Sequence, residues 1–425
     1  MRTLTYNRQK KLIVSLVILM VMAMLMPNML VAKDIDFSGM LRSSTGARLS
    51  EGDVPITEQT ADIKMEGWGE DTHIMLNPYA YIGADGEPEI GMREAYIDLY
   101  FPSMDIRVGK QAIVWGEAEG AFITDIVSPQ DLRSFILADF TEVRMGVPAV
   151  KADYFAGPLT FEAVWLPRFV PTAQPDADSI WSTEKMKLMS NPDLPSDDLE
   201  NSEFFGKISY FGSALNGELM AGYAWDDMPV LEGDIDLTTG EPVPSTLKAT
   251  HKRYTVVGGS FSTTLGSVVL RSEAAAYLDR AFTKTEIPGP PTRTLSTSEY
   301  HQIHGLAGLD WSLFGVDMSS QYILQYIHDY DAALMSEEYD HTLTFRMRDS
   351  NTAETLTWEL FGYLGFDPED IENSTDALLR PSLTYSIEDG VEIQSGVEIF
   401  LGDEAGKFGQ YEDNTMAYVS LRWYF

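Results

Sequence analysis

The chain has 425 residues, with 30 Lys plus Arg, 65 Asp plus Glu and no Cys. The net charge of −35 argues against a nucleic-acid-binding protein, because a phosphate backbone repels so acidic a surface. The lack of Cys excludes disulfides, thiolate metal sites and a Cys nucleophile, and a mean hydropathy of −0.13 argues against a bundle of membrane helices. An acidic enzyme, an acidic binding protein and a barrel with polar loops remain.

The N-terminal 1–32 segment is typical of a bacterial export signal. A basic front ends at Lys11, an apolar run extends from Leu12 to Met26, and Leu30-Val31-Ala32 forms a cleavage site. The alternative is an uncleaved anchor helix, for which the apolar run is short. The sequence therefore predicts a signal peptide over 1–32 and a mature, exported domain over 33–425.

The rest of the chain alternates between apolar and polar residues in segments of about ten residues, the length of a tilted membrane strand. In one such segment Ala95, Ile97 and Leu99 share a face, and Glu94 and Asp98 lie on the other. Strands of a soluble sandwich are usually shorter. Eighteen strands are predicted, or sixteen if a hairpin is miscounted, over 34–44, 58–68, 71–82, 91–100, 103–112, 143–155, 158–167, 203–211, 216–226, 252–264, 267–280, 300–312, 315–328, 341–348, 353–365, 375–386, 390–401 and 413–425.

The connections between these strands alternate between short and long along the whole chain. Gly69-Glu70 and Ala156-Gly157 are examples of the short class, whereas 113–142 and 168–202 belong to the long class. Bacterial outer-membrane barrels have this asymmetry, with short periplasmic turns and long extracellular loops. Since every backbone polar group in hydrocarbon needs an internal partner, the sheet must close on itself. The pattern predicts an all-β, antiparallel transmembrane barrel in the cell outer membrane.

The last strand alternates up to its final residue, Phe425. It resembles the terminal strand of bacterial outer-membrane proteins, which ends on an aromatic residue and is recognised by the barrel-assembly machinery. The alternative is an ordinary last strand of a soluble β protein. The predicted assembly signal consists of Tyr418, Leu421, Trp423 and Phe425.

A segment after the fifth predicted strand carries a family signature: Lys110-Gln111, Trp115-Gly116-Glu117 and Pro129-Gln130-Asp131-Leu132-Arg133. It resembles a domain-of-unknown-function family of bacterial outer-membrane β-barrel proteins, and the chain is more distantly similar to porins. The resemblance implies an outer-membrane barrel and extends to barrels that pass hydrophobic or lipidic compounds. It implies no settled substrate and no catalytic residue.

This signature lies in the predicted third outer loop, 113–142. A loop of about thirty residues is too long for a hairpin turn, and such loops are usually functional. Its apolar residues follow a predicted helix start at Ser128-Pro129, so we expect the loop to fold into the barrel; a lid over the rim is the alternative. The candidate constriction residues are Trp115, Glu117, Glu119, Asp125, Asp131 and Arg133.

Strand alternation also assigns a set of charged residues to the lumen. Acidic residues dominate this set, and acidic rings in a pore favour cations; the alternative is a structural role in pairs with arginines. The predicted lumen residues are Glu94, Asp98, Arg107, Glu162, Glu218, Arg271, Glu273, Glu359, Glu392 and Glu398.

The sequence therefore favours a porin-like channel for small or hydrophobic solutes with a preference for cations. The alternative is a plugged barrel that acts in binding, adhesion or lipid transport. The sequence contains no recognisable Ser-His-acid set that would indicate an enzyme, and no cofactor is expected. No metal site is expected either, because the spacing of His301 and His304 places the two side chains on opposite faces of a strand. Expected partners are outer-membrane lipids and lipopolysaccharide, the barrel-assembly machinery, a small-molecule solute and, for a trimeric porin, two further copies of the chain.

Overall fold

The computed structural model describes residues 35–83, 86–116, 118, 120–135, 142–236, 246–286, 292–404 and 406–425. The predicted signal peptide lies outside these residues. Among them, no helix is long and apolar enough to cross a membrane.

The described residues form twenty β-strands and two short α-helices. The strands are β1 Ile35–Arg48, β2 Ile56–Trp68, β3 Thr72–Ile82, β4 Pro88–Phe101, β5 Met104–Gln111, β6 Val147–Ala156, β7 Leu159–Leu166, β8 Glu203–Phe211, β9 Leu215–Trp225, β10 Val230–Asp236, β11 Lys248–Thr250, β12 Arg253–Leu265, β13 Val268–Glu286, β14 Thr292–Leu313, β15 Val316–Ile327, β16 Tyr339–Ser350, β17 Leu356–Phe366, β18 Asp376–Glu388, β19 Val391–Leu401 and β20 Met416–Tyr424. The helices are α1 Glu184–Leu188 and α2 Ile371–Ser374.

Eighteen of these strands pair in antiparallel order into one closed barrel, which confirms the predicted fold and strand number. β9 pairs directly with β12, and β20 closes the barrel on β1. At the seam the backbone of Gly39 exchanges two hydrogen bonds with Phe425, at 3.0 and 3.1 Å. The two remaining strands, β10 and β11, lie in the loop between β9 and β12 and extend the sheet beside the outer end of β14.

Alternation along each strand creates an inner and an outer face. In β12, for example, Val256 is completely buried whereas the next residue, Val257, is 43% exposed. Short turns such as Gly157-Pro158 and Phe314-Gly315 all lie at one end of the barrel, and the long connections lie at the other. The predicted asymmetry of turns and loops is therefore confirmed.

The interior of the barrel is uneven. Buried apolar residues cover the inner faces of β6–β9 and β12–β15, which we call the packed wall. Two cavities lie along the inner faces of β16–β20 and β1–β4, which we call the open wall, and a smaller apolar cluster covers only the outer ends of β17–β20. This division decides where the loop between β5 and β6 lies.

Candidate pore constriction

Residues 112–135, which we call the constriction loop, enter the barrel from the end of β5. Trp115, Ile123 and Val127 are 2 to 3% exposed and pack with inner-face residues of the packed wall. Apolar side chains gain about 25 cal/mol for each Å² removed from water, so the apolar wall is a favourable surface for this loop.

Glu273 on β13 holds the loop by its backbone. Its carboxylate accepts hydrogen bonds from the backbone N–H of Ala118 at 2.8 Å and of Thr124 at 3.3 Å, and from the Thr124 hydroxyl at 2.8 Å. The neighbouring Tyr277 donates its hydroxyl to the Ile123 carbonyl at 2.9 Å. The loop has no regular secondary structure here, so the wall supplies partners that its buried backbone groups need.

The Trp-Gly pair of the signature fits this same surface. Trp115 donates its indole N–H to Glu162 at 2.6 Å, and the Lys207 ammonium lies 5.3 Å from the centroid of its rings. Gly116 has a φ of 77°, and a Cβ there would lie 2.8 Å from each carboxylate oxygen of Glu273. Only glycine combines this backbone conformation with so close an approach. The candidates Glu117 and Glu119 lie outside the described residues.

Asp125 lies inside the loop rather than on a water-filled surface. It accepts a hydrogen bond from the Trp115 backbone at 3.0 Å and forms an ion pair with Arg144. Burial raises the pKa of the Asp125 carboxyl to about 6, against the opposing effect of Arg144. Its contacts indicate that Asp125 stabilises the loop from within.

Asp131 and Arg133 lie nearer the outer end, where the loop faces a cavity. Arg133 pairs with Asp131 at 2.6 Å and with Glu89 of β4 at 2.8 Å.

The predicted helix start at Ser128-Pro129 is wrong for the described residues up to 135. Isolated β-bridges join Gln130 to Arg144 and Asp131 to Ala173, so tertiary pairing replaces the helix.

The constriction loop also reaches the open wall. Tyr363 of β17 donates its hydroxyl to the Gly120 carbonyl at 3.2 Å. Gly120 has a φ of 75°, and a Cβ there would lie 2.6 Å from the Tyr363 hydroxyl oxygen. Between Glu273 on one wall and Tyr363 on the other, the loop crosses the lumen.

Two adjoining cavities remain between the loop and the open wall. The deep cavity, of about 490 Å³, extends toward the short-turn end along β16–β20 and β1. The outer cavity, of about 600 Å³, lies along the outer ends of β1–β4 and beside the loops that follow β5 and β7. Both are lined by Arg42, Ile56, Glu58, Ser134 and Trp181, which places them in one continuous region.

The predicted lumen residues lie on the inner faces of their strands, mostly in polar pairs. These contacts are Glu94 with the Ala112 backbone N–H at 2.9 Å, Asp98 with Arg107 at 2.6 Å, Glu162 and Glu218 with Lys207 at 3.7 and 3.2 Å, Arg271 with Asp310 at 2.6 Å, Glu359 with Arg346 at 2.8 Å, Glu398 with Arg380 at 2.8 Å, and Glu392 opposite Arg422 in strand register. Sequence reasoning missed Lys207, Arg346 and Arg380, although alternation places each of them on the inner face.

The C-terminal residues divide between the two faces of β20. Tyr418 lines the deep cavity, whereas Leu421, Trp423 and Phe425 are 47 to 49% exposed on the outer surface. Within the described part of the chain, no group of three or more His, Cys, Asp or Glu residues could hold a metal ion.

Solved structures with the same architecture include outer-membrane porins of the Occ family. OccK8 (OprE) of Pseudomonas aeruginosa has a TM-score of 0.54 at 11% identity, covering 93% of this chain and 98% of that one. OccAB1 of Acinetobacter baumannii has a TM-score of 0.54 at 10% identity, covering 93% and 97%. At sequence identities this low, the similarity shows that the fold is shared. The closed barrel places the protein in the outer membrane.

A search of curated protein sequences finds no match. The model of the family described as "Protein of unknown function (DUF1302)" matches residues 81–363, which include the Trp-Gly-Glu signature and the Glu273 anchor. This match covers about two thirds of the 425 residues. The chain therefore belongs to the DUF1302 family.

Proposed function

We propose that the protein is an outer-membrane channel that passes small polar solutes along its open wall, with a weak preference for cations. One observation carries this proposal: the constriction loop packs on one wall and leaves two adjoining, polar cavities along the other. A loop that narrows a barrel without filling it is suited to selecting solutes by size.

The charged residues that line the cavities support both the preference for polar solutes and the weak preference for cations. Seven acidic and five basic residues line the outer cavity, whereas four arginines and three glutamates line the deep cavity. An acidic excess at the mouth attracts cations, and near-neutrality deeper inside limits the preference. Because charged groups line both cavities, they suit polar solutes better than hydrophobic ones.

Planar-bilayer recordings across a salt gradient test this proposal directly. We expect discrete ion-conducting steps and a reversal potential displaced modestly from zero toward the equilibrium potential of the cation. Liposome swelling with neutral solutes of increasing size should show a cut-off. A reversal potential on the anion side would contradict the charge preference, and the absence of conductance would contradict the channel.

The plugged barrel is the second candidate function, because the loop bridges the two walls through Gly120 and Tyr363. A plugged barrel predicts no conductance in the natural protein and large conductance once residues 116–134 are replaced by a short linker. A channel predicts conductance in both proteins, so recordings of the natural protein and of this variant separate the two candidates.

The partners of the protein belong to the same proposal. The barrel lies among membrane lipids, and we propose that lipopolysaccharide contacts the acidic outer loops through bridging divalent cations. We further propose that Tyr418, Leu421, Trp423 and Phe425 present the assembly signal and that a trimer is the functional unit. The similar structures are channels rather than enzymes, and we propose the same for this chain. Cross-linking in native membranes would measure the oligomeric state.

A further inference from the structure

One row of inner-face residues on the open wall combines an aromatic side chain with two ion pairs. Phe361 of β17 is opposite Arg346 of β16 in one strand ladder and opposite Arg380 of β18 in the next. The three side chains line the deep cavity together with Glu359 and Glu398. Phe361 therefore lies between two arginines in the strand register, and each arginine has a carboxylate partner.

Each arginine of this row is neutralised by a carboxylate. Arg346 donates to Glu359 at 2.8 and 3.1 Å, and Arg380 donates to Glu398 at 2.8 Å. Two positive and two negative charges leave the row with no formal net charge. A solute with a net charge gains little Coulombic attraction there, whereas a neutral solute finds donors and acceptors side by side.

The constriction loop passes over the edge of the same ring. A Cβ at Gly120 would lie 3.0 Å from Cζ of Phe361, so the loop approaches this ring with backbone alone. The row therefore lies at a contact between the loop and the open wall, and a solute that travels along the open wall meets Phe361 at this point.

We propose that this row is a binding subsite for a neutral polyhydroxylated solute, such as a sugar ring. The apolar C–H face of the solute stacks on Phe361, its hydroxyl groups accept hydrogen bonds from Arg346 and Arg380, and they donate to Glu359 and Glu398. The cavity of about 490 Å³ is within the range of small-molecule sites. This inference rests on the proposed channel function and names the class of solute.

Three sugars that differ in charge provide the test: glucose, the anion glucuronate and the cation glucosamine. Each is titrated against the ion current of the wild-type channel in planar bilayers. We expect saturable block by glucose, at an apparent affinity no weaker than that of either charged analogue. A tenfold stronger block by glucuronate would overturn the neutral class and indicate an anion site.

Phe361→Leu is the decisive variant, because it keeps an apolar side chain of similar size and removes the aromatic face. We expect glucose block to weaken about fivefold, while Phe361→Trp retains it. The matched control is Phe345→Leu, on the outer face of β16, which should leave block unchanged. Heat-modifiable gel mobility verifies that each variant is folded.

Equal block in the wild type and Phe361→Leu would overturn the stacking contact. If the wild type carries no ion current, the channel proposal fails, and equilibrium dialysis with labelled glucose then tests the subsite alone. Saturable binding that Phe361→Leu weakens would support the subsite; no saturable binding would overturn it.

Discussion

The packed and open walls belong to one barrel with one alternating pattern, yet their inner faces differ in chemistry. On the packed wall Val256, Ala275 and Leu306 are at most 4% exposed, beneath the constriction loop. On the open wall Arg380 and Glu398 pair beside a cavity. The comparison teaches that the inner-face residues decide where the loop lies: it covers the wall that water solvates poorly.

The two walls also hold the loop by different means. The packed wall combines apolar contact with the Glu273 carboxylate, which accepts three hydrogen bonds from the loop. The open wall contributes the Tyr363 hydroxyl on the Gly120 carbonyl and, at its outer end, an aromatic contact between Phe135 of the loop and Phe400 of β19. Breaking the first set should release the loop, whereas a change at the second should alter the width of the passage.

Glu273→Ala should have the largest effect. Leaving buried donors without an acceptor costs about 3 kcal/mol or more, and the loop should leave the wall. We expect a higher single-channel conductance and faster protease cleavage between residues 112 and 135. Glu218→Ala is the control, because Glu218 bonds Ser209 and Lys207 on the same wall. Unchanged conductance and cleavage in Glu273→Ala would contradict the anchor.

Gly120→Ala should have the next largest effect, and it acts on the open wall. The new methyl group would meet Tyr363 and Phe361, and the positive φ adds about 1 kcal/mol of strain. We expect a changed conductance. Gly157→Ala, in a short turn with a φ of 63° and open space around it, carries the same backbone strain without touching the lumen. Equal conductance in the two variants would argue against a narrow passage at Gly120.

The barrel could be predicted from the sequence because its signal repeats. Ala95, Ile97 and Leu99 illustrate an alternation that recurs in strand after strand, so an error at one strand does not change the fold. Even the shortest predicted strand, 341–348, is present as β16, from Tyr339 to Ser350.

The interior was less predictable, because it depends on contacts between distant parts of the chain. The sequence identifies Asp125 only as an acidic residue of a loop, whereas in the structure it is enclosed by Trp115 and Arg144. Glu273 reads as one lumen acid among many, and only the folded loop makes it an anchor. Alternation can assign a residue to a face, but it does not say which inner-face residues the loop will cover.

Arg380→Gln should shift ion selectivity with a smaller effect on conductance. It leaves Glu398 without this guanidinium in the deep cavity, so the reversal potential should move toward that of the cation. Lys207→Gln removes a positive charge from the packed wall, beside Trp115 and away from both cavities. We expect little shift there, and both variants should be recorded at low salt, where charges are least screened. Equal shifts would contradict the assignment of the solute path to the open wall.

Acidification should have the smallest effect, and it should act above the packed wall. His251, between β11 and β12, is 5% exposed, and its Nδ1 lies 2.7 Å from the Asp226 carbonyl. Burial lowers the pKa of His251 below its ordinary value of 6.5, so the unfolded loop binds a proton more readily than the folded one. The stabilising contribution is therefore present above pH 6.5 and is lost as the pH falls through the pKa of the folded state.

Hydrogen exchange in residues 226–236 and 246–252 at pH 7.5 and pH 5 measures this effect. We expect faster exchange at pH 5 in the wild type and a smaller difference between the two pH values in His251→Gln. His328→Gln is the control, because the His328 side chain is 54% exposed. The 402–415 connection contains no His and lies above the open wall, so its exchange should not respond to His251→Gln. If both variants respond to pH like the wild type, another group controls these loops, and the acid sensitivity does not arise from the buried imidazole.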